Sequence, residues 1–430
     1  MKQRVIVLSA DAMVYEDMEY FRTLPEYKKY LAGGAEVKNV RTIYPSVTYP
    51  VHVSIATGAW PCRHGVVSNT EFHPGVLSLP WNWFHTPVKI PDIFDAAKEA
   101  GLSTAGVFWP VTGKHPSIDN LIPEYWTQMK GETIKTAFKR AGCNPHMLSI
   151  IEKNFTRGTV ERQHPVCDEF VINSACDIIR ECKPDLLMIH PANFDDYRHK
   201  FGSFSDKTKQ AARETASYVG RLMKAAEDAG IGREINFFLI SDHGQIDITR
   251  SMNINVLLAD YGLIRYDRDG KLLDWDAYVH SNGMSALVHL KDKNDKGLYE
   301  KTYSLLRHLC DEGIYGIGRV FTEAEAKSQE KLGGDFSFVL ETDGYTAFGE
   351  NWLRPLIKNL DLSDYRFGRA THGYLPDKGP QPMLVAKGPA IQKKVVLEKR
   401  DIIDEAPTFA KVLGLKLPHA DGKPIDEILV

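Results

Sequence analysis

Residues 235–244 read INFFLISDHG, a short apolar run that ends directly in Ser241, Asp242 and His243. A continuous apolar run of this length predicts a strand buried on both faces of a sheet. Two more runs end in polar residues: Val5 to Ala10 leads into Asp11, and Leu186 to Ile189 leads into a loop with Asp195 and His199. Because parallel strands end at one edge of a sheet, these side chains are expected to converge there.

Helical patterns alternate with these apolar runs. Asp168 to Glu181 carries apolar residues at helical spacing and precedes the strand that begins at Asp185. Thr208 to Ala229 is a long helical pattern that precedes the strand at Ile235. A strand–helix–strand order with short connections predicts an α/β fold with a mostly parallel, doubly wound sheet flanked by helices.

The alternation loosens after about residue 250 and returns near residue 382, where Met383-Leu384-Val385 forms another apolar strand pattern. Between them lie mixed strand and short helix patterns with turn signals such as Asp343-Gly344. We interpret residues 251–365 as an inserted mixed α+β cap subdomain, and residues 1–250 with 366–430 as the catalytic core.

Composition narrows the class of protein and its partners. The chain has 430 residues, with 53 Lys plus Arg against 56 Asp plus Glu, and this balance argues against a nucleic-acid polymer as partner. No stretch approaches the roughly 20 apolar residues that span a bilayer, so no membrane partner is expected.

The opening run Val5 to Leu8 is too short for a secretory signal, and the 6 cysteines form no Cys-x-x-Cys pair. A cytoplasmic protein with reduced thiols is expected, of undetermined oligomeric state.

Asp and His side chains gathered at a sheet edge are suitable ligands for Zn²⁺ or Mn²⁺. Each has an ordinary alternative: Asp11 as a helix N-cap, Asp195 with His199 as a pair on one helix face, Asp242-His243 as a turn. A later histidine, His372, precedes Gly373 and taken alone is a loop residue. The joint pattern, with each acidic group after a buried strand, favours a metal site.

Residues 44–58 read YPSVTYPVHVSIATG and predict a loop followed by a short helix that ends at Gly58. Thr48 then lies at or just before the helix N-terminus, where free N–H groups and the helix dipole favour an anion. A hydroxyl there is commonly an N-cap. Beside a metal pair, Thr48 becomes a candidate nucleophile.

Taken in order, these motifs resemble the alkaline phosphatase superfamily, specifically the type I phosphodiesterase/nucleotide pyrophosphatase family. The residues that carry the resemblance are Asp11, Pro45 to His52, Thr57 to Pro61, His64-Gly65, Asn69, Phe108-Trp109-Pro110, Asp195 to His199, Ser241 to Gly244, His372-Gly373-Tyr374, Lys387-Gly388-Pro389, Leu413-Gly414-Leu415 and Asp421-Gly422.

The resemblance implies an alkaline-phosphatase-like core and two Zn²⁺ ions, with Mn²⁺ as the alternative metal. One ion would be held by Asp195, His199 and His372, the other by Asp11, Asp242, His243 and the Thr48 hydroxyl oxygen. It also implies a hydrolase that cleaves phosphodiester or pyrophosphate bonds of small nucleotide-like phosphate esters through a phosphothreonine at Thr48.

Departures from the family pattern concern the substrate. Where this chain has Val51, the family has an Asn that is expected to donate a hydrogen bond to a phosphate oxygen. Where this chain has Arg198, the family has Gly. Arg198 either replaces that donor or points to solvent. Tyr49 and Tyr125 are candidate aromatic contacts for a base, with a structural core role as the alternative.

Three other functions stay open from the sequence. One is a phosphomonoesterase or a phosphonoacetate-type phosphonate hydrolase, which has the same metals and a Thr nucleophile. The others are a manganese phosphomutase of the same superfamily and a non-catalytic protein that binds phosphate esters.

Overall fold

A computed structural model describes residues 2–160, 162–362 and 368–430. Its strands are β1 (Arg4–Ser9), β2 (Ala35–Arg41), β3 (Thr104–Val107), β4 (Asn120–Ile122), β5 (Leu186–Ile189), β6 (Ile235–Ile240), β7 (Ile246–Asp247), β8 (Arg250–Met252), β9 (Ile264–Tyr266), β10 (Leu272–Trp275), β11 (Ala277–Ser281), β12 (Ser285–Leu290), β13 (Ile317–Thr322), β14 (Phe338–Thr342), β15 (Thr346–Phe348), β16 (Ile357–Lys358), β17 (Ala370–Thr371), β18 (Leu384–Lys387) and β19 (Val396–Asp401).

The α-helices cover the sheets and connect their strands. They are α1 (Met18–Phe21), α2 (Pro25–Tyr30), α3 (Thr48–Thr57), α4 (Pro61–His64), α5 (Ile93–Glu99), α6 (Ile134–Arg140), α7 (Pro145–Asn154), α8 (Arg157–Val160), α9 (Val166–Cys182), α10 (Asn193–Phe201), α11 (Asp206–Asp228), α12 (Ile254–Asp260), α13 (Lys296–Asp311), α14 (Glu323–Glu330) and α15 (Glu405–Val412). No helix in the described ranges is both long and apolar enough to cross a membrane.

The central sheet has eight strands in the order β19-β2-β18-β6-β1-β5-β3-β4. Pairs along β6-β1-β5-β3-β4 are parallel, as is the pair of β2 with β19. Strand β18 is antiparallel to both of its neighbours. The predicted α/β class with a mostly parallel central sheet is therefore confirmed.

Strand β1 explains why the apolar runs are continuous. Its residues alternate between the two faces: Ile6 and Leu8 belong to an apolar cluster shared with α9 and α11, while Val5 and Val7 belong to one shared with α3, α5 and α15. Because helices cover both faces of the sheet, every residue of β1 is buried, and the strand lacks the alternation of apolar and solvent-facing polar residues.

A second, antiparallel sheet lies between β6 and β18 in the chain. Its order is β11-β12-β14-β13, and it has an apolar cluster of its own with α12 and α13. The proposed cap boundaries at 251 and 365 stay a prediction, and the second boundary falls within residues 363–367, outside the described residues.

Candidate metal centre

The carboxyl ends of the central strands and one following helix bring the expected ligands together. Asp11 follows β1, and Asp242 with His243 follow β6. Asp195 and His199 lie on α10, where a loop was expected from the sequence. The helix has acidic residues in its first turn and basic residues in its last, which complements the helix dipole. His372 follows β17 and reaches the same place.

One ligand cluster consists of Asp11, Asp242 and His243, whose ligand atoms lie within 4.8 Å of one another. Nε2 of His243 is 3.2 Å from Oδ2 of Asp242 and 3.6 Å from Oδ1 of Asp11. Both of these carboxylate oxygens are buried and accept no hydrogen bond from the described residues. Burial, together with the charges of Asp242 and Asp195, raises the pKa of Asp11 well above its ordinary value. Two ionised carboxylates in this position call for a bound cation.

The other cluster consists of Asp195, His199 and His372. Oδ1 of Asp195 is 3.3 Å from Nε2 of His199 and 3.8 Å from Nε2 of His372. Nδ1 of His199 is 2.8 Å from the Ala370 carbonyl oxygen and Nδ1 of His372 is 3.2 Å from that of Ser46, so both rings present Nε2 to Asp195. A backbone carbonyl on the opposite nitrogen is the usual support of a metal-binding histidine.

Charges within this second cluster compensate one another. Burial works to raise the pKa of Asp195, but the imidazoles of His199 and His372 outweigh it and lower that pKa. Burial works to lower the pKa of His199, and the Asp195 carboxylate outweighs it and raises that pKa. The rings of His372 and His243 stack at 4.0 Å between centroids, so the two clusters are adjacent.

Thr48 is the first residue of α3, and its Oγ1 is 3.2 Å from Nε2 of His243. The helix is held in this position from its buried side: Nδ1 of His52 is 2.8 Å from the Thr48 carbonyl oxygen, and Nε2 of His52 is 2.9 Å from Oγ of Ser9. Helix α3 ends at Gly58, whose φ of 66° is the left-handed conformation that glycine adopts without strain. Thr48 therefore combines a helix N-terminus with a position beside the ligands, as its sequence context predicted.

The donor set fits two divalent cations. It offers mixed carboxylate and imidazole atoms, buried carboxylate oxygens without a hydrogen bond, and histidines oriented through their far nitrogens. Carboxylates from Asp11, Asp195 and Asp242 would balance most of the charge of two such ions. Zn²⁺ and Mn²⁺ both accept this combination of ligands.

Thr48 lies between two cavities. One has a volume of about 360 Å³ and is lined by Tyr49, Trp81, Glu124 and Trp126, among others. The other, of about 80 Å³, lies on the side of Asn69, whose Oδ1 accepts a hydrogen bond of 2.8 Å from the Tyr49 N–H. Because Oδ1 receives that bond, the Asn69 amide presents its NH₂ group as a donor.

Arg198 and Tyr125, which were predicted to contact substrate, lie elsewhere, and so does Val51, the position at which the family has a phosphate donor. Arg198 is 1% exposed; its Nε donates to the Ala12 carbonyl and its guanidinium pairs with Asp17, so it neither reaches the cavities nor faces solvent. Tyr125 packs against Trp83 and lines neither of the two cavities at Thr48. Val51 is fully buried in the apolar cluster under α3. Of the aromatic pair expected to contact a base, Tyr49 does line the large cavity.

Sequence reasoning missed several polar residues at this edge. His190 directly follows β5, and its Nε2 is 3.0 Å from Oδ2 of Asp11. Glu124 follows β4 by two residues and lines the large cavity. Their position just after a strand of the parallel sheet is the signal that would have found them.

A separate group of His85, Asp92, Asp95 and His115 also brings its potential ligand atoms within 4.8 Å of one another. Here hydrogen bonds account for the arrangement: Asp92 and Asp95 form the capping box of α5. Nδ1 of His115 accepts from the backbone N–H of Ser117, so its proton lies on Nε2, which faces Asp92 at 3.0 Å. A nitrogen that carries a proton cannot bind a metal.

Curated proteins of known function are similar to this chain. The chain is 26% identical over 235 residues to ectonucleotide pyrophosphatase/phosphodiesterase family member 1 of Homo sapiens, a match over 53% of this chain and 22% of that protein. The chain therefore spans less than a quarter of the length of that relative. It is 22% identical over 436 residues to the bis(5'-adenosyl)-triphosphatase ENPP4 of Bos taurus, covering 97% of this chain and 80% of that one.

Solved structures share the fold. Murine ectonucleotide pyrophosphatase/phosphodiesterase 5 superposes with a TM-score of 0.68 at 17% identity, over 100% of both chains. An inactive variant of the same murine protein, in complex with AMP, gives the same values. The family model described as type I phosphodiesterase / nucleotide pyrophosphatase matches residues 5–333. This chain belongs to the type I phosphodiesterase/nucleotide pyrophosphatase family.

Proposed function

We propose that this protein is a metal-dependent hydrolase that cleaves phosphodiester or pyrophosphate bonds of nucleotide-like substrates, with Thr48 as its nucleophile. The observation that carries the proposal is the position of Thr48: its hydroxyl lies at a helix N-terminus, 3.2 Å from His243, beside both ligand clusters. The names of the relatives support the reaction class.

The metal ligands would be Asp11, Asp242 and His243 with the Thr48 oxygen for one ion, and Asp195, His199 and His372 for the other. Divalent ions bound there would lower the pKa of a hydroxyl and stabilise negative charge on the phosphoryl oxygens. We propose Zn²⁺, with Mn²⁺ as the alternative that the same ligands accept.

The residues of this chain supply the nucleophile and the orientation. Thr48 Oγ forms a bond to phosphorus while the bond from phosphorus to the leaving oxygen breaks. Water then cleaves the resulting phosphothreonine and restores the Thr48 hydroxyl. The Asn69 NH₂ group would donate to a phosphoryl oxygen, which is the role that the family resemblance assigned to the position of Val51.

The size and lining of the large cavity support a nucleotide-like substrate. Its volume of about 360 Å³ lies within the range of small-molecule sites, and Tyr49, Trp81 and Trp126 provide flat apolar walls. A small phosphonate such as phosphonoacetate, which a hydrolase with the same metals and nucleophile would cleave, has no group that would fill such a cavity.

A substrate panel tests the proposal. Zinc-loaded enzyme should hydrolyse bis-p-nitrophenyl phosphate with a higher kcat/KM than p-nitrophenyl phosphate or phosphonoacetate. Thr48→Ala should lower kcat about a thousandfold or more while the bound zinc stays near that of the wild type. Faster turnover of the monoester or the phosphonate would contradict the substrate class, and unchanged turnover by Thr48→Ala would remove Thr48 from the mechanism.

We also propose a cytoplasmic location. The 6 cysteines are free in the structure, as expected in a reducing compartment. Fractionation of source cells tests this proposal, because recovery of the protein from the medium or a membrane pellet would contradict it.

A further inference from the structure

The large cavity beside Thr48 contains a carboxylate that the proposed reaction does not use. Glu124 lies two residues beyond β4, at the same sheet edge as the metal ligands. It lines the cavity together with Tyr49 and Trp126. Oε2 of Glu124 is buried and accepts no hydrogen bond from the described residues. A buried carboxylate oxygen without a donor is costly, so a ligand that supplies a donor would be favoured here.

The other carboxylates of this cavity, metal ligands aside, already have partners. Asp168 is 2.7 Å from Nδ1 of His164 and accepts from the Ala192 N–H. Asp196 is 2.7 Å from Nζ of Lys200. Glu124 therefore differs from both, because its Oε2 accepts no hydrogen bond from the described residues.

The surroundings of Glu124 are aromatic on one side and cationic on another. The guanidinium of Arg162 lies 4.5 Å from the ring centroid of Trp126. Burial raises the pKa of Glu124 to about 7, although the charge of Arg162 and the hydroxyl of Tyr49 work to lower it. Aromatic rings and the Glu124 residue therefore line the same cavity.

We propose that Glu124 selects guanine among the nucleobases, by accepting hydrogen bonds from adjacent N–H donors on the edge of the base; this inference rests on the proposed function. A planar carboxylate matches two parallel donors. Guanine presents N1–H and N2–H side by side, hypoxanthine presents N1–H alone, and the adenine N1 position is an acceptor that an ionised carboxylate repels. The three bases have nearly the same shape, so the aromatic walls do not distinguish them.

Binding of reaction products tests the selection without requiring turnover. Zinc-loaded Thr48→Ala protein is titrated calorimetrically at pH 8.5 with GMP, IMP and AMP. GMP should bind about tenfold or more tightly than AMP, with IMP between them, because a bidentate pair discriminates by about that factor. Adding Glu124→Gln should reduce the GMP preference to less than about threefold, because GMP loses its acceptor pair and the amide NH₂ no longer repels adenine N1.

Asp196→Asn is the matched control, since it also replaces a carboxylate of this cavity by an amide but one already paired with Lys200. Combined with Thr48→Ala, it should keep the GMP preference, and zinc content verifies that the metal site is intact. Equal affinities for GMP and AMP, or a preference that survives Glu124→Gln, would overturn the selection.

A failure of this inference is distinguishable from a failure of the proposed function. If none of the three nucleotides binds while wild-type enzyme hydrolyses bis-p-nitrophenyl phosphate, the assignment of Glu124 is overturned and the hydrolase proposal stands. If no diester is hydrolysed by the zinc-loaded wild type, the hydrolase proposal itself is contradicted.

Discussion

Val51 provides a sharp test, because its family counterpart is Asn and the structure buries it. Its side chain has no exposed surface and belongs to the apolar cluster that also holds Ile55 and Trp109. It lines neither cavity at Thr48. Val51→Asn is therefore expected to destabilise the fold and to give no gain in diester hydrolysis.

The expected loss has two parts. Removing a fully buried Val side chain from the apolar cluster costs about 1.5 to 3 kcal/mol. Burying an amide without partners costs about 1 to 3 kcal/mol more. Together they predict a decrease of about 2.5 to 6 kcal/mol in the free energy of unfolding, a large share of the stability of an ordinary domain.

Urea unfolding at fixed zinc concentration measures this loss, with Val51→Ala as the control for the first part alone. Val51→Ala should lose about 2 kcal/mol, and Val51→Asn should lose more. The reasoning is refuted if Val51→Asn is no less stable than Val51→Ala and raises kcat/KM for a diester, because the amide would then face the phosphate.

Further predictions concern pH, metal and a buried ion pair. Burial works to lower the pKa of His164, but the charge of Asp168 outweighs burial and raises that pKa to about 9. The pair therefore adds to the free energy of unfolding below pH ~6.5, and this contribution fades as pH rises through ~9. The stability advantage of wild type over His164→Gln should therefore shrink by about 2 to 3 kcal/mol between pH 6.5 and 9.5 in urea titrations, and a constant difference would contradict the pairing. Zinc at 100 times its Kd should raise the free energy of unfolding by about 2.7 kcal/mol per site over chelated protein. In Asp242→Asn this gain should be reduced, and an undiminished gain would place the metal elsewhere. Arg198→Gln leaves the Asp17 carboxylate buried without its partner and should lose about 3 to 5 kcal/mol; unchanged stability with lower diester affinity would instead place Arg198 at the substrate.

The strands and the polar residues that follow them were predictable because their signals are local. An apolar run followed at once by Asp or His, as at Asp11 and Asp242, identifies both a buried strand and the residue at its end. Helix α10 was expected as a loop because most of its residues are polar, although Phe194, Tyr197 and Phe201 stand at helical spacing. Glu124 was missed because β4 is only 3 residues long.

The substrate contacts were less predictable because they depend on partners that are distant in the chain or on which of two neighbouring side chains faces the cavity. Arg198 pairs with Asp17, which lies 181 residues away in the chain, and no local pattern shows that contact. Tyr125 and Trp126 are neighbours in a loop without periodicity, so the sequence does not show which of them faces the cavity. Trp126 lines it and Tyr125 packs behind it.

Trapping of the covalent intermediate tests the central claim most directly. Zinc-loaded enzyme turning over bis-p-nitrophenyl phosphate is quenched in acid, digested and analysed by peptide mass spectrometry. A phosphoryl ester adduct should appear on Thr48, should move to the serine of Thr48→Ser, and should be absent from Thr48→Ala. Sustained turnover with no adduct at Thr48, or an adduct on another residue, would contradict the account.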